Sequence, residues 1–309
     1  MKEQATILNY DVTILAKDLK DINTETKIGQ WNNIISHRMS LKDYDGDGIV
    51  VGVCDTGIDI EHEFIRDNIL GGKNFVYNER ELDWNIANNY HATGVVSCIV
   101  AVAPNVKILL CKCMDTTGNG YLEEIATAVD YCVSQGVDMI NLSIGSKTNN
   151  NSLEVAVKNA VKSDIPIIVA LGNNGDGNAN TDEISYPSAF GEVISVSSMT
   201  KDYEVSDFSN SNNFCDFVAV GTQIRIAYPR DEKGNSRYAR TDGTSFACPT
   251  VVGFACLLME KFKKEVGRKP SESELFGLLC KHAREVEDIN YVQQGNGYID
   301  LNIRRIKRI

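Results

Sequence analysis

Val106-Lys107-Ile108-Leu109-Leu110-Cys111-Lys112-Cys113, followed by Tyr121–Gln135 and then by Met139-Ile140-Asn141-Leu142-Ser143-Ile144, is the stretch that decides the fold. The outer segments are short, nearly continuous apolar runs, the pattern of strands buried on both faces. The middle segment carries Ile125, Ala128, Val129 and Cys132 at helical spacing. Strand, helix and strand in succession predict parallel pairing through a right-handed crossover. The rhythm continues outward: Gly48–Cys54, Ile165–Leu171 and Val193–Ser198 read as further buried strands. Ser152–Ser163, with Leu153, Val155, Ala156, Ala160 and Val161, reads as a further helix. The fold class is therefore α/β, a doubly wound, mostly parallel sheet with helices on both faces. Ligands of such sheets bind at the carboxyl ends of strands, where Asp55, Ser143 and Asn173 fall.

With 309 residues, 43% of them hydrophobic, the chain can bury one large core, and it shows no linker or internal repeat. The start, Met1 to Asp11, lacks the apolar core of a signal peptide, and no apolar run is expected to reach the ~20 residues of a membrane span. A net charge of −11 without clustered Lys and Arg argues against nucleic acid and anionic membranes as partners. The basic Arg304-Arg305-Ile306-Lys307-Arg308 reads as a solvated end. Nine cysteines (Cys54, Cys98, Cys111, Cys113, Cys132, Cys215, Cys248, Cys256 and Cys280) form no framework, and most sit in apolar stretches. Reduced core thiols and a cytoplasmic location are expected. Cys111-Lys112-Cys113 puts two thiols on one strand face, with no second pair to complete a metal set.

The chemistry gathers in three segments. Thr241-Asp242-Gly243-Thr244-Ser245-Phe246-Ala247-Cys248-Pro249 places a serine between a Gly-Thr turn and a helix start, where unpartnered N–H groups would stabilise an oxyanion beside its Oγ. Serine needs a base, and the base needs an orienting carboxylate. Val51-Gly52-Val53-Cys54-Asp55-Thr56-Gly57 ends an apolar run in an acid, and Tyr90-His91-Ala92-Thr93-Gly94 begins another with a histidine. Two further patterns lead nowhere. Asp43-Tyr44-Asp45-Gly46-Asp47-Gly48 starts like a calcium loop but has Cys54 where a bidentate Glu is required, so it reads as a tight acidic turn. Ser198-Met199-Thr200-Lys201 matches Ser-x-x-Lys without the partner motifs of that chemistry.

The order Asp, His, Ser is that of the subtilisins and not of the chymotrypsin relatives or the α/β-hydrolases. At Asp55-Thr56-Gly57, His91-Ala92-Thr93 and Gly243-Thr244-Ser245-Phe246-Ala247 the chain resembles the subtilisin-like (subtilase) serine proteases, from about Gly46 to about Asn302. The resemblance implies an endopeptidase acting on polypeptides through an Asp55-His91-Ser245 triad and an acyl-enzyme. Val169-Ala170-Leu171-Gly172-Asn173-Asn174-Gly175 resembles the oxyanion segment, with Asn173 as donor, although Asn173 also suits a plain turn. Ser143-Ile144-Gly145 and Gly118-Asn119-Gly120 resemble the two edges that pair with an extended peptide, with Gly172 beside them. Ser185, before Tyr186-Pro187, resembles the floor of the pocket for the residue preceding the cut.

Three departures from the family stand out. His91-Ala92-Thr93-Gly94 replaces the usual His-Gly-Thr-His. The principal calcium loop is missing, because Val96 runs straight through to Pro104 and Phe64 stands near the place of an expected acid. No metal or other cofactor is therefore expected to be required, and Asp176, Asp182 and Glu183 are the acids from which a calcium site could be rebuilt. Residues 1–27 are expected to form an N-terminal extension, shorter than the pro-domain of secreted members, before a catalytic domain of residues 28–309. Ile7-Leu8-Asn9-Tyr10-Asp11-Val12 resembles the short extension with which intracellular subtilisins cover their own cleft, with Asn9 in place of a proline, and a strand that merely packs is the competing reading. Two alternatives to a general protease remain: a processing enzyme for one leader or precursor peptide, and a catalytically silent binding protein. Oligomeric state is not legible.

Overall fold

The computed structural model describes residues 3–7, 13–14 and 30–302. Its centre is a seven-stranded parallel sheet of β1 (Val50–Asp55), β2 (Ile69–Asn74), β3 (Lys107–Lys112), β4 (Met139–Leu142), β5 (Ile167–Ala170), β6 (Ile194–Met199) and β7 (Phe217–Val220). The strands lie in the order β7-β6-β5-β4-β1-β3-β2. After β1 the chain fills one flank, then crosses back and adds β4 to β7 in sequence on the other. The reversal lies between β1 and β4, so a cleft opens at their carboxyl ends, where Asp55 and Ser143 stand.

Alternate strand residues feed two cores, which is why the runs look continuous rather than alternating. Val51, Val53, Ile108, Leu110 and Met139 pack with α1 (His91–Val102) and α4 (Thr244–Val266) on one face. Cys54, Cys111, Ile140 and Leu142 pack with α2 (Leu122–Ser134) and α3 (Asn151–Lys162) on the other. Local chemistry sets the helix ends. Asn150 Oδ1 accepts the Leu153 N–H at 3.0 Å to start α3, and Ser271 and Glu274 make a reciprocal capping box on α5 (Glu272–His282).

Two strands of this sheet escaped the sequence reading. β2 is an edge strand interrupted by Gly71-Gly72, yet a Cβ on Gly72 would lie 2.5 Å from the Trp84 ring, so the residue that hides the strand is the one its packing requires. β7 is a run of only four apolar residues between Asp216 and Gly221, shorter than the runs that marked β4 and β5. One expectation is corrected: the 23-residue α4 is long and apolar enough to cross a membrane. Its most apolar window is 89% buried, and the sequence made it apolar all round because it runs through the core.

Candidate active site

Asp55 is the last residue of β1, and the turn after it serves two ends. Thr56 N–H donates to Asp55 Oδ1 at 2.6 Å, while Thr56 Oγ1 accepts the Ala92 N–H at 3.1 Å in the first turn of α1. The turn that holds the acid thus also caps the helix that carries the histidine. A Cβ on Gly57 would lie 2.1 Å from Ile86 O, so only glycine fits there. His91 opens α1, and its Nδ1 lies 2.8 and 2.9 Å from the two Asp55 oxygens, with both side chains at 0% exposure. A carboxylate only accepts, so Nδ1 is the donor and Nε2 the basic nitrogen. His91 Nε2 is buried and makes no hydrogen bond.

Ser245 is the second residue of α4, where a backbone N–H has no intrahelical acceptor. Its Oγ donates to Ser143 O at 2.9 Å, and Ser143 Oγ donates to Ser245 O at 3.0 Å. The second bond has its cause four residues on: Pro249 has no N–H to bond the Ser245 carbonyl, and the Ser143 hydroxyl takes that carbonyl instead. Phe246 packs its ring 5.5 Å from the His91 imidazole. Asn173 Oδ1 accepts both the N–H (2.9 Å) and the Oγ1 (2.7 Å) of Thr244, which fixes the amide and makes Nδ2 its donor end. Gly172 has φ 126°, and a Cβ there would lie 2.2 Å from Asn210 Nδ2; Asn210 Oδ1 in turn accepts the Asn174 N–H at 2.7 Å.

Gly118 turns the chain at φ 82°, and Asn119 and Gly120 lie in a short strand, Asn119–Tyr121, facing Ile144–Gly145 across a gap. The gap holds Gln4–Ile7, antiparallel to both edges: Gln4, Ala5 and Thr6 pair with Tyr121, Gly120 and Asn119, while Thr6 and Ile7 pair with Gly145 and Ile144. Glu3 O accepts the Leu122 N–H and Gln4 O the Ser146 hydroxyl, each at 3.0 Å. The segment therefore runs along both edges toward Ser143. Of the cleft-covering stretch read from the sequence only Ile7 is described; Leu8 to Val12 lie outside the described residues, and Thr13–Ile14 pair with Arg240 and Ala239. Ser185 is buried beside the same edge, where Ser146 and Tyr186 exchange backbone bonds of 2.8 Å.

Residues 46–297 match the sequence profile of the subtilase family. The chain belongs to the subtilase family of serine proteases. This subtilase is 37% identical over 274 residues to the major intracellular serine protease of Bacillus subtilis (strain 168), covering 85% of this chain and 84% of that one. It is 35% identical to an intracellular serine protease of Paenibacillus polymyxa (85% and 82% covered) and 30% identical to subtilisin DY of Bacillus licheniformis (85% and 93%).

The calcium loop suggested by family resemblance does not fit the subtilase's own residues. α1 runs unbroken from His91 to Val102, and the apolar Phe64 stands where an acid would be needed. Asp176 Oδ1 is occupied by Asn178 N–H and Thr181 Oγ1, and Glu183 Oε2 by Ser211 N–H and Oγ. Within Asp43–Gly48, the Asp45 and Gly46 N–H groups donate to Glu260 Oε2 at 2.8 and 2.7 Å. Ser198 Oγ pairs with Ser206 Oγ, whereas Lys201 pairs with Asp202.

The cysteine reading changes in one respect. Cys248, close to Ser245, is a packing residue whose thiol burial pushes up, and its Sγ lies 3.4 Å from Asn141 Oδ1. Cys54, Cys111 and Cys132, far apart in sequence, converge: Cys132 Sγ lies 3.4 Å from Cys111 Sγ and 3.9 Å from Cys54 Sγ, all buried. Cys111 thus groups with thiols of another strand and of a helix, positions that no motif in the sequence links. Sequence reasoning also missed the parts played by Thr56, which holds Asp55 and caps the helix of His91, by Thr244, which fixes the Asn173 amide, and by Asn210, which holds the Asn174 N–H.

Proposed function

We propose that this subtilase is an endopeptidase in which His91 Nε2 takes the proton of Ser245 and Asp55 holds the imidazole in that tautomer and stabilises its charged form. Ser245 Oγ attacks the peptide carbonyl. Asn173 Nδ2 and the Ser245 N–H hold the oxyanion, the amine leaves with the proton from His91, and water then releases the acyl group. The observation that carries this reading is the fully buried contact of His91 Nδ1 with both Asp55 oxygens at 2.8 and 2.9 Å. In the resting arrangement Ser245 Oγ donates to Ser143 O, and rotation about χ1 turns it to the base.

Substrate is read as an extended peptide added between Gly118-Asn119-Gly120 and Ser143-Ile144-Gly145, with Gly172 and Ser185 around the residue before the cut. The antiparallel seat of Gln4–Ile7 in that gap supports a self-covered cleft, hence a regulated enzyme. It also favours the second reading, a processing protease whose few natural substrates displace the segment. The chemistry as written uses no cofactor, and the misfit of Phe64 and α1 supports folding without the family's principal calcium. Nine free cysteines and the names of the intracellular relatives support a cytoplasmic location, and a net charge of −11 argues against nucleic-acid or anionic-membrane partners.

A fluorophosphonate probe tests the assignment by intact mass. One adduct is expected, absent in Ser245→Ala, whose kcat should fall by about 10⁶. An adduct that persists in Ser245→Ala would place the nucleophile elsewhere, and none even on a chain starting near Thr26 would overturn the reading and leave a silent binding protein.

A further inference from the structure

We propose that Cys54, Cys111 and Cys132 form a binding site for one soft, thiophilic monovalent cation, cuprous ion being the type, held by three thiolates. Cys54 and Cys111 are register partners on β1 and β3, and Cys132, in the last turns of α2, meets the same face of the sheet. The three sulfurs lie within 4.8 Å of one another, two of the separations being 3.4 and 3.9 Å. An ion ~2.3 Å from three coplanar sulfurs requires sulfurs ~4.0 Å apart, so closure needs shifts of roughly half an ångström. The sequence leaves room for this. A Cβ on Gly52 would lie 2.6 Å from Cys132 Sγ, so any other residue in the middle of β1 would push the helix sulfur away.

The donor set selects the ion. Among the described residues no imidazole, carboxylate or fourth thiol joins the three sulfurs, whereas a structural zinc closes on four ligands. An all-thiolate set favours the softest cations, and each thiol that becomes a ligand releases its proton. The site is wired to the catalytic acid. Cys54 directly precedes Asp55, and the residues that follow β3, Cys113 and Met114, donate their N–H groups to Asp55 O at 2.9 and 3.1 Å. Drawing Cys54 and Cys111 toward an ion therefore pulls on the backbone that aims Asp55. The resulting loss of activity rests on the proposed role of Asp55; the binding itself does not.

The full chain as Ser245→Ala, reduced and without oxygen, is titrated with Cu(I) against a competing cuprous chelator. Expected are one ion per chain and, by X-ray absorption, three sulfur neighbours with no nitrogen or oxygen. Cys132→Ala should retain at least ten-fold less copper, while Cys98→Ala, a buried thiol outside the cluster, retains it all. Should Cys132→Ala fail to fold, the absorption spectrum of the chain with all its cysteines decides: mixed ligands or substoichiometric copper overturns the site. For the chain with Ser245 intact, loading should slow hydrolysis of a small peptide at least five-fold, and the chelator should restore it. Unchanged rates at full occupancy would overturn the link to Asp55, and a chain inactive even without copper would overturn the catalytic reading while the binding result stands.

Discussion

Thr244 shows how much of the site is held by residues that touch no substrate. Its N–H and hydroxyl both bind Asn173 Oδ1, so the proposed oxyanion donor is aimed by the residue next to the proposed nucleophile. Thr244→Val removes one of the two bonds, a neutral hydrogen bond of ~1 kcal/mol, and kcat should fall about five-fold with KM nearly constant. Asn173→Ala should cost the ~10²–10³ measured for a donor of this kind in a subtilisin. Kinetics in which Thr244→Val raises KM alone would give Thr244 a binding role instead. Asp216 offers a pH test away from the chemistry. Burial pushes its carboxyl up to about 6, against the pull of the Ser195 N–H at 2.8 Å. A native value above the unfolded one means that the folded state holds the proton more tightly. The stabilisation is then full below about pH 4 and is lost as pH rises through about 6, with a ceiling of ~3 kcal/mol. The melting-temperature advantage of the native chain over Asp216→Asn should shrink between about pH 4.5 and 7.5. An advantage that grows over that range would contradict the burial argument.

Two elements carry more than packing. α4 contains Pro249, which costs the helix the bond to the Ser245 carbonyl, and Ser143 Oγ supplies the replacement at 3.0 Å. Ser143→Ala should therefore destabilise by about 1–3 kcal/mol, the cost of a buried carbonyl left without a partner. Adding Pro249→Ala restores the helical donor and should recover part of that loss, so chemical denaturation of the two single variants and the double variant should be non-additive. The N-terminal strand is the second element. Gln4–Ile7 makes with both edges the antiparallel ladder proposed for a substrate, and tethering would lift its local concentration to roughly millimolar. A chain starting near Thr26 should turn over a small peptide several-fold faster than the full chain. Equal rates in two folded proteins would reduce the strand to a structural part. The strand was only half legible in sequence: the apolar alternation around Ile7 marked an edge-pairing segment, but the register that seats Ala5 opposite Gly120 depends on a gap made by two distant loops.

At the scale of the whole molecule, the parallel sheet was readable because strands buried on both faces leave unbroken apolar runs, and the cleft followed from the reversal of strand order beside β1. Asp55, His91, Asn173 and Ser245 could be picked out because each stands at a strand end or a helix start, positions that sequence marks. The convergence of Cys54, Cys111 and Cys132 could not, since it depends on how α2 settles on the sheet, a tertiary fact without a local signal. The same distinction bears on metal dependence. Ligands for calcium must be oxygen donors held close by the fold, but α1 runs on to Val102 without a loop and Phe64 supplies no carboxylate. Of the acids that could rebuild a site, Asp176 already accepts from Asn178 and Thr181, and Glu183 from Ser211. A cation bound to the native state alone would raise its stability by RT ln(1 + [L]/Kd), ~2.7 kcal/mol at a hundred-fold excess over Kd, and chelation would remove that whole amount. Without such a site, EDTA should leave the melting temperature within about one degree of its value in added calcium, whereas a dependent protein of this size would fall by several degrees. A large drop with EDTA that calcium reverses would show that oxygen ligands assemble elsewhere on the chain, and Asp176→Asn and Glu183→Gln would then locate them.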